Sequence, residues 1–233
     1  MDIALIPARS GSKRIKGKNI KPFLGMPIMA YPIKAALAAG CFDKVVVSTN
    51  SKEFGEVALS CGAEVIFRPE ELSDDHTPLA PVIEHGIKEL QGQGHHVERA
   101  CCILSTAPFV RPSDISKAKE MLVERNVGAV FSVTSFPFPI FRGLKMSEDG
   151  TVSMFWPEHE LTRSNDLPDG YHDAGQFYWL DAAKFLSEKK VYMADALGFV
   201  LPRYLVQDID TPEDWHRAEL MYRVLQESGE VEL

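Results

Sequence analysis

The sequence predicts a three-layer α/β fold built on a mainly parallel sheet. Short β-branched runs such as DKVVVSTN, at residues 43–50, alternate with longer amphipathic segments, and this alternation is typical of parallel strands joined by covering helices. Ser51 follows that run where a helix N-cap residue is expected. Apolar residues make up 45% of the 233-residue chain, enough to bury both faces of a sheet.

The predicted elements follow in order over the first 134 residues. Strands are predicted at residues 3–7, 43–50, 64–67, 99–105 and 128–134. Helices are predicted at residues 27–39, 51–60, 79–90 and 113–124. Pro32 falls inside the first of these helices, where it should cost a hydrogen bond or bend the axis.

The alternation stops at residue 135. Residues 135–172 are rich in proline and contain an Asp149-Gly150 turn between two strand-like pieces, so we expect an irregular excursion that carries a hairpin. Its aromatic residues are Phe136, Phe138, Phe141, Phe155 and Trp156. If they are exposed they favour a subunit interface, and the alternative is a loop folded back on its own domain.

The last part of the chain returns to the core. A strand is predicted at residues 174–180, a strand-like stretch at 198–210 and a helix at 212–226. We therefore expect residues 1–233 to form a single domain, with residues 135–172 as an insertion.

Charge and cysteine content argue against several functions. The net charge of −8 argues against a general binder of nucleic acid or of membrane surfaces. Cys41, Cys61, Cys101 and Cys102 form no CxxC pair, so buried, reduced thiols are expected instead of a metal site. The sequence shows neither a signal peptide nor an apolar run that could cross a bilayer, and we expect a cytoplasmic protein.

A basic, glycine-containing loop follows the first predicted strand. Seven Lys and Arg residues and no acidic residue occur over residues 3–42. Such a loop can turn its backbone N–H groups toward an anion while its cations add full charges. A phosphate chain is the expected ligand, and a merely solvated loop is the weaker alternative. The spacing from Gly11 to Gly17-Lys18-Asn19 is one residue too long for a Walker loop, and the dinucleotide fingerprint GxGxxG is absent.

The segment IPARSGSKRIKGKNIKPFLGMP resembles the opening signature of the acylneuraminate cytidylyltransferases, the CMP–sialic acid synthetases. The resemblance continues through VVVSTN, AEVIFRPEEL, STAPFVRP and VQDIDTPEDW, and so covers nearly the whole chain. SKRIKGKNIK, DDHTP and HDAGQFYW are most similar to the pseudaminic acid branch. The resemblance implies a Rossmann-like nucleotidyltransferase fold, a homodimer, and transfer of CMP from CTP to the anomeric hydroxyl of a nine-carbon 2-keto sugar acid.

In that family the loop neutralises the triphosphate. The resemblance implies that Arg9, Ser12 and Lys13 face the β- and γ-phosphates, where they would stabilise the leaving pyrophosphate. It implies that Lys18 lies at the α-phosphate and that Asn19 contacts the nucleotide. The full nucleotide-binding set that it implies is Ala8, Arg9, Ser10, Gly11, Ser12, Lys13, Lys18, Asn19, Arg68 and Thr77. For Arg68 the alternative is a surface arginine at the edge of the sheet.

Asp208 and Asp210 are the predicted metal ligands. Two residues apart on a strand, they would face the same side and share Mg²⁺ with the triphosphate. The alternative is that they serve the positive end of the following helix, although Thr211 is already a suitable N-cap there. The predicted catalytic set is Arg9, Lys13, Lys18, Asp208 and Asp210.

The sugar-binding residues that the resemblance implies are His76, Arg163, Asp173 and Gln176. A buried Gln176 would need a partner, which a substrate amide could supply; the alternative for Asp173 and Gln176 is a structural polar pair. His76 is equally a polar loop residue. Arg163 could meet the sugar carboxylate in a neighbouring subunit or remain at the surface. Relatives specific for N-acetylneuraminate carry a glutamine near Ser105 that this sequence lacks, which favours a different sugar.

The remaining alternatives differ in substrate or in class. N-acetylneuraminate, legionaminate or Kdo would use the same chemistry with a different sugar pocket. KPFLGMP is partly similar to sugar-1-phosphate nucleotidyltransferases. The basic loop alone is also compatible with a non-catalytic nucleotide-binding regulator. Binding of RNA is least expected, because no aromatic cluster stands beside the lysines.

Overall fold

The computed structural model describes residues 1–74 and 76–231. Its strands are β1 (Asp2–Pro7), β2 (Pro22–Phe23), β3 (Met26–Pro27), β4 (Lys44–Thr49), β5 (Glu64–Phe67), β6 (Arg99–Ile103), β7 (Ala129–Ser135), β8 (Leu144–Met146), β9 (Val152–Met154), β10 (Tyr171–Asp181) and β11 (Leu197–Val200). Its helices are α1 (Ala30–Ala38), α2 (Lys52–Ser60), α3 (Leu79–Gly92), α4 (Pro112–Arg125), α5 (Ala182–Glu188) and α6 (Pro212–Glu227).

The main sheet has seven strands in the order β11-β7-β10-β6-β1-β4-β5. Neighbouring strands run parallel except at β10, which is antiparallel to both β6 and β7. The predicted α/β class with a mainly parallel sheet is therefore confirmed. In such a sheet, ligands bind beyond the carboxyl ends of the strands, and β1, next to the middle strand β6, delivers the basic loop to that edge.

Apolar clusters cover both faces of this sheet. α1, α2 and α4 pack on one face, and α3 and α5 pack on the other. Along β1, Ala4 and Ile6 belong to the first cluster while Ile3 and Leu5 belong to the second, because successive strand side chains point to opposite faces. Gly86 lets α3 approach β1 closely, since a Cβ at this position would lie 2.7 Å from Leu5.

A third apolar cluster joins α6 to the chain that follows the basic loop. Phe23 packs edge-on against Tyr31, Trp215 and Tyr222, with ring centroids 5.3 to 5.6 Å apart. Ile209, just before α6, is buried in the same cluster. The cluster therefore fixes the start of α6 against the segment that carries the loop cations.

The first helix begins later than predicted. Leu24 and Gly25, with φ of 45° and 95°, make a tight turn that pairs Pro27 into β3. α1 begins at Ala30, so Pro32 lies in its first turn, where a backbone N–H has no partner within the helix. The expected cost of Pro32 therefore does not arise.

The stretch predicted as strand-like at residues 198–210 is a strand only in β11. Pro202 cannot donate to a further ladder, and Arg203–Leu205 forms a short 3-10 turn. Asp208 and Asp210 therefore lie on an irregular segment and not on a strand, which corrects the geometry from which their pairing was predicted.

Two smaller predictions also need correction. α5 was not predicted; it begins after Asp181, whose carboxylate accepts a hydrogen bond from Lys184 N at 2.8 Å. Cys41 and Cys61 are only half-buried, whereas the other two cysteines are buried as expected. Over residues 1–74 and 76–231, no helix is long and apolar enough to span a bilayer.

Residues 136–170 leave the main sheet. The predicted hairpin is present, as β8 and β9 pair antiparallel. Phe141 and Trp156 pack on each other at a centroid distance of 5.4 Å, so these two aromatics are half-buried rather than fully exposed. Phe138 is 77% exposed. We call residues 136–170 the excursion.

Candidate active site

The basic loop is held at its start by neighbouring strands. Ala8 is buried, and its N–H donates to Ser48 O at 2.8 Å. The N–H of Ser10 donates to Asn50 Oδ1 at 3.1 Å. Asn50 ends the VVVSTN run, and its role was not predicted. These two contacts fix the point where the loop leaves β1 and passes the end of β4.

Asn19 braces the far end of the loop. Its side chain is buried; Nδ2 donates to Arg9 O and Oδ1 accepts from Ser105 Oγ, each at 2.8 Å. Gly17 has a φ of 61°, a left-handed conformation that suits glycine and turns the chain into the short 3-10 turn that contains Asn19. Because both ends of the Asn19 amide are used by the protein, its clearest role is to hold the loop in shape.

The loop lines a cavity of about 540 Å³, which we call the cationic cavity. Its described basic residues are Arg9, Lys13, Arg14, Lys18 and Arg68, and its described acidic residues are Asp74 and Asp210. Ser12 and Thr77 also line it. An excess of positive charge in a concave site favours a polyanionic ligand. The structure thus brings most of the predicted nucleotide-binding side chains together.

Arg68 is the buried cation of this cavity. The residue is 6% exposed, and Nε donates to Ser73 Oγ at 3.0 Å. In the described part of the chain it forms no salt bridge. Burial, and then repulsion from Arg9, lower the pKa of the Arg68 guanidinium to about 10. The alternative of a surface arginine is therefore wrong, and a buried cation beside another cation is typical of a site that binds an anion.

Thr77 and a group of apolar side chains form a less polar wall of the cationic cavity. The Thr77 hydroxyl donates to Asp74 Oδ1 at 2.7 Å. Leu72, Leu79 and Val82 line the cavity beside it. Sequence reasoning did not select these three, because leucine and valine at helix positions carry no chemical signal of their own. An apolar wall of this kind suits the flat face of a nucleobase.

Lys18 and Arg14 connect the loop to the segment before α6. Lys18 Nζ donates to Ile209 O at 2.6 Å and lies 3.4 Å from Asp210 Oδ1. Arg14 Nη1 lies 2.9 Å from Asp210 Oδ2. The Asp210 carboxylate is therefore held between two cations, across 192 residues of sequence in the case of Lys18.

Asp208 and Asp210 flank the buried Ile209. Partial burial, and then the neighbouring charge of Asp210, raise the pKa of Asp208 above its ordinary value. Two carboxylates that repel each other provide hard oxygen ligands of the kind that Mg²⁺ accepts. The helix does not need them, because Thr211 and Asp214 already form a capping box at the start of α6. Across the described residues no group of three or more His, Cys, Asp or Glu side chains could hold a metal.

A second cavity, of about 710 Å³, lies next to the first, since Leu104 lines the second and its neighbour Ser105 lines the first. Its walls come from β7, β10, α6 and the 3-10 turn before it, and Asp173, Arg203, Asp208 and Arg217 are among its lining residues. Asp208 lines this second cavity whereas Asp210 lines the cationic cavity. The two carboxylates therefore mark the junction between the cavities.

Asp173 lines the second cavity with its carboxylate already occupied. Oδ2 accepts from the hydroxyls of Tyr178 and Tyr192, each at 2.6 Å, and Oδ1 accepts from Gly175 N at 2.7 Å. Burial, and then the bond to Asp173, raise the pKa of both phenols, that of Tyr192 to about 12. Asp173 thus braces the irregular part of β10, where the register with β7 shifts.

The other predicted sugar contacts lie outside both cavities in the described part of the chain. Gln176 is buried, and its amide donates to Leu205 O. That backbone carbonyl is the partner a buried glutamine needs, so the structure gives Gln176 the structural role that was the alternative. His76 is exposed in a loop. The side chain of Arg163 is 79% exposed, and Nε lies 3.8 Å from Asp166.

The fold and the two adjoining cavities define a nucleotide-binding α/β protein of the nucleotidyltransferase type. The sequence model of the cytidylyltransferase family matches residues 3–206. The chain belongs to this family and is a CTP-dependent nucleotidyltransferase. This membership argues against the alternative of a regulator without catalysis.

Two named relatives and one solved structure are similar to this chain over nearly its full length. The chain is 40% identical over 229 residues to the pseudaminic acid cytidylyltransferase of Campylobacter jejuni, covering 98% of this chain and 99% of that one. It is 30% identical to the CMP-N,N'-diacetyllegionaminic acid synthase of Legionella pneumophila, covering 97% and 98%. The solved structure of a CMP:2-keto-3-deoxy-manno-octonic acid synthetase complexed with CTP superposes with a TM-score of 0.70 at 14% identity, over 96% of this chain and 98% of that one. This superposition shows that the two chains share a fold.

Proposed function

We propose that this chain transfers CMP from CTP to the anomeric hydroxyl of a nonulosonic acid, and that the acid is pseudaminic acid. The products are CMP-pseudaminate and pyrophosphate. The observation that carries the proposal is the 40% identity, over 98% of the chain, to a pseudaminic acid cytidylyltransferase. The cytoplasm, where CTP is made, is the proposed site of reaction.

The cationic cavity supports binding of the triphosphate. Arg9, Lys13 and the buried Arg68 bring positive charge to one wall of it, and Ser12 adds a hydroxyl donor. These groups would bind the β- and γ-phosphates and stabilise the negative charge that grows on pyrophosphate as it leaves. The same charges do little for the neutral sugar hydroxyl, so their effect falls on the leaving group.

The junction between the cavities supports the transfer itself. A sugar in the second cavity would present its anomeric oxygen to the α-phosphorus of CTP in the first. The new bond forms from that oxygen to phosphorus while the bond to the bridging oxygen of pyrophosphate breaks, in line. Lys18 is held beside the junction by Ile209 O and Asp210, from which it would orient the α-phosphate.

We also propose that Asp208 and Asp210 hold Mg²⁺. Asp208 and Asp210 lie two residues apart at the junction and offer hard oxygen ligands. A divalent cation would replace Arg14 and Lys18 as the counter-charge of Asp210. When bound, the cation would neutralise phosphate charge and take its remaining ligands from phosphate and water. Titration of Mn²⁺ into the protein, followed by electron paramagnetic resonance, tests this. Binding should be lost in Asp208→Asn and retained in Asp166→Asn, an exposed aspartate of the excursion.

A substrate panel tests the function. The purified protein would be mixed with CTP and, in turn, pseudaminic acid, N-acetylneuraminate, legionaminate and Kdo, and pyrophosphate release would be measured. We expect the highest kcat/KM with pseudaminic acid. A higher value with another acid would reassign the sugar without changing the reaction. Turnover of glucose-1-phosphate but of no sugar acid would overturn the proposal.

We propose further that the protein is a homodimer joined through the excursion. Its exposed apolar side chains are Phe136, Phe138, Leu144, Met146, Val152, Phe155 and Leu161. So large an apolar group is unusual on a monomer surface, and two-fold pairing would bury it. Light scattering should give twice the chain mass of 26.0 kDa. Phe138→Ser should weaken the dimer, whereas Phe67→Ser, at an exposed position of β5, should not; a wild-type mass of one chain with full activity would refute the dimer.

A further inference from the structure

Two arginines of the second cavity have no role in the functions assigned above. Arg203 begins the 3-10 turn before the junction, and Arg217 lies on α6. Resting on the proposed function, we propose that Arg217, assisted by Arg203, binds the carboxylate of the sugar acid and so makes the enzyme specific for acidic sugars.

The chemistry of the substrate fixes where its carboxylate must lie. In a 2-keto sugar acid the carboxylate carbon is bonded directly to the anomeric carbon, which also carries the attacking hydroxyl. The carboxylate therefore stays two bonds from the reacting oxygen however the rest of the sugar is arranged. A group that binds it must stand at the wall of the second cavity nearest the junction at Asp208 and Asp210.

Arg217 meets this requirement through its place on α6. Asp214 Oδ2 accepts from the backbone N–H of Asp210 at 3.1 Å and of Thr211 at 2.8 Å, which ties the first turn of α6 to the junction. Arg217 follows Asp214 by three residues, so the two lie on the same helix face. Arg217 thus stands beside the segment that carries Asp210 while lining the second cavity.

The charges around the two arginines leave them available to an anion. In the described part of the chain neither Arg203 nor Arg217 is within salt-bridge distance of a carboxylate. Asp173, on the same cavity wall, has its oxygens engaged by two tyrosine hydroxyls and a backbone N–H. A guanidinium offers a planar pair of donors that matches a carboxylate. The positive charge that balances the carboxylate of an acidic sugar would therefore come from Arg203 and Arg217 of the same subunit.

The competing candidate is Arg163, for which the sequence left open either a contact with the sugar carboxylate in a neighbouring subunit or a surface position. Arg163 lies in the excursion, exposed and paired loosely with Asp166, and would need a partner subunit to reach a sugar. The two assignments differ in their consequences, because only Arg163 makes carboxylate recognition depend on assembly.

The test compares each sugar acid with its C1 carboxamide, which keeps the shape and loses the charge. Steady-state KM values and calorimetric binding in the presence of a non-hydrolysable CTP analogue would be measured for wild type, Arg217→Met, Arg203→Met and Arg163→Met. We expect Arg217→Met to raise the KM for the acid by about 10- to 100-fold, the range for a lost charge-assisted hydrogen bond. The affinity for CTP and the KM for the carboxamide should change little. Arg223→Met, at an exposed position of the same helix that lines neither cavity, is the matched control.

The decisive readout is the preference for acid over carboxamide, which a merely structural role of Arg217 would leave intact. Loss of that preference in Arg217→Met supports the inference. Retention of the preference, or its loss in Arg163→Met alone, overturns the inference while the proposed function stands. Wild-type turnover of no sugar acid at all would overturn both.

Discussion

The two cavities are built in different ways. Much of the cationic cavity comes from one short stretch, the basic loop after β1. The rest is added by the segment between β5 and α3, by α3 itself, by the residues after β6 and by the segment before α6. The second cavity takes its walls from β7, β10, the turn at Arg203–Leu205 and α6. Most cations of the first cavity thus come from one stretch of sequence, although contacts to Ser105 and Ile209 hold that stretch in place. The lining of the second cavity comes from segments spread between residues 104 and 217.

The two cavities also differ in how their charged side chains are held. In the cationic cavity, Lys18 and Arg14 are held against Asp210, and Asn19 holds the loop backbone, so the positive charge is organised before a nucleotide arrives. Preorganised charge of this kind favours catalysis because little rearrangement is needed during the reaction. In the second cavity the comparable bracing falls on Asp173 and its tyrosines, which shape a wall and leave the arginines to the ligand.

The largest expected loss of turnover comes from substitution of Asp210 at the junction between the cavities. Asp210→Asn keeps the shape of the side chain and removes an anionic ligand, so we expect turnover to fall by about 100-fold or more while CTP affinity changes only a few-fold. Glu213→Gln, an exposed change in the first turn of α6, is the control. Rates at saturating Mg²⁺ and calorimetric CTP binding check the result. Turnover near the wild-type value would remove Asp210 from the proposed metal site.

Three lysines of the loop segment should differ in their effect on kcat. Lys18→Ala should lower kcat by roughly ten-fold or more, because Lys18 lies at the junction. Lys16 is exposed, so Lys16→Ala should have little effect. Lys21 Nζ stands 4.4 Å from the centre of the Trp215 ring, so Lys21→Ala should cost about 0.5–1 kcal/mol of stability and leave kcat unchanged. Equal losses in all three would mean that the loop acts only through its total charge.

The contrast between the cavities also explains what the sequence could predict. The loop motif is local, so Arg9, Lys13 and Lys18 were identified and the structure brings them together. Strand and helix alternation predicted the sheet for the same reason. The hairpin β2–β3 was missed because its turn uses Leu24, a residue that seldom adopts positive φ.

The residues of the second cavity were harder to predict from the sequence. The resemblance implied that Gln176 faces a sugar, and the need of a buried amide for a partner supported this, but tertiary packing supplies Leu205 O instead. Arg203 and Arg217 were missed because an isolated arginine after a proline or within an amphipathic helix is ordinary in sequence. The packing of α6 and the 3-10 turn beside β7 and β10 brings them to one cavity.

A third prediction separates affinity from stability in the cationic cavity. Arg68→Met replaces a buried cation by an apolar side chain of similar length, so CTP should bind about ten-fold more weakly. The protein without ligand should become more stable, by on the order of 1 kcal/mol, because the desolvated charge beside Arg9 is removed. Calorimetry and thermal unfolding measure the two effects. A fall in both affinity and melting temperature would show that Arg68 is a structural residue.

The smallest effect concerns Asp173 in the second cavity. Asp173→Asn should raise the KM for the sugar only about three-fold and leave CTP affinity unchanged, because the change weakens hydrogen bonds within the wall and removes no contact to ligand. Tyr192→Phe deletes one of the same bonds at a residue outside the cavity lining, so the two variants should behave alike in sugar kinetics and in melting temperature. If Asp173→Asn raises the KM far more than Tyr192→Phe does, the carboxylate contacts the sugar directly. The second cavity would then hold a preorganised binding group, as the cationic cavity does. The two cavities would differ only in which segments of the chain form their walls.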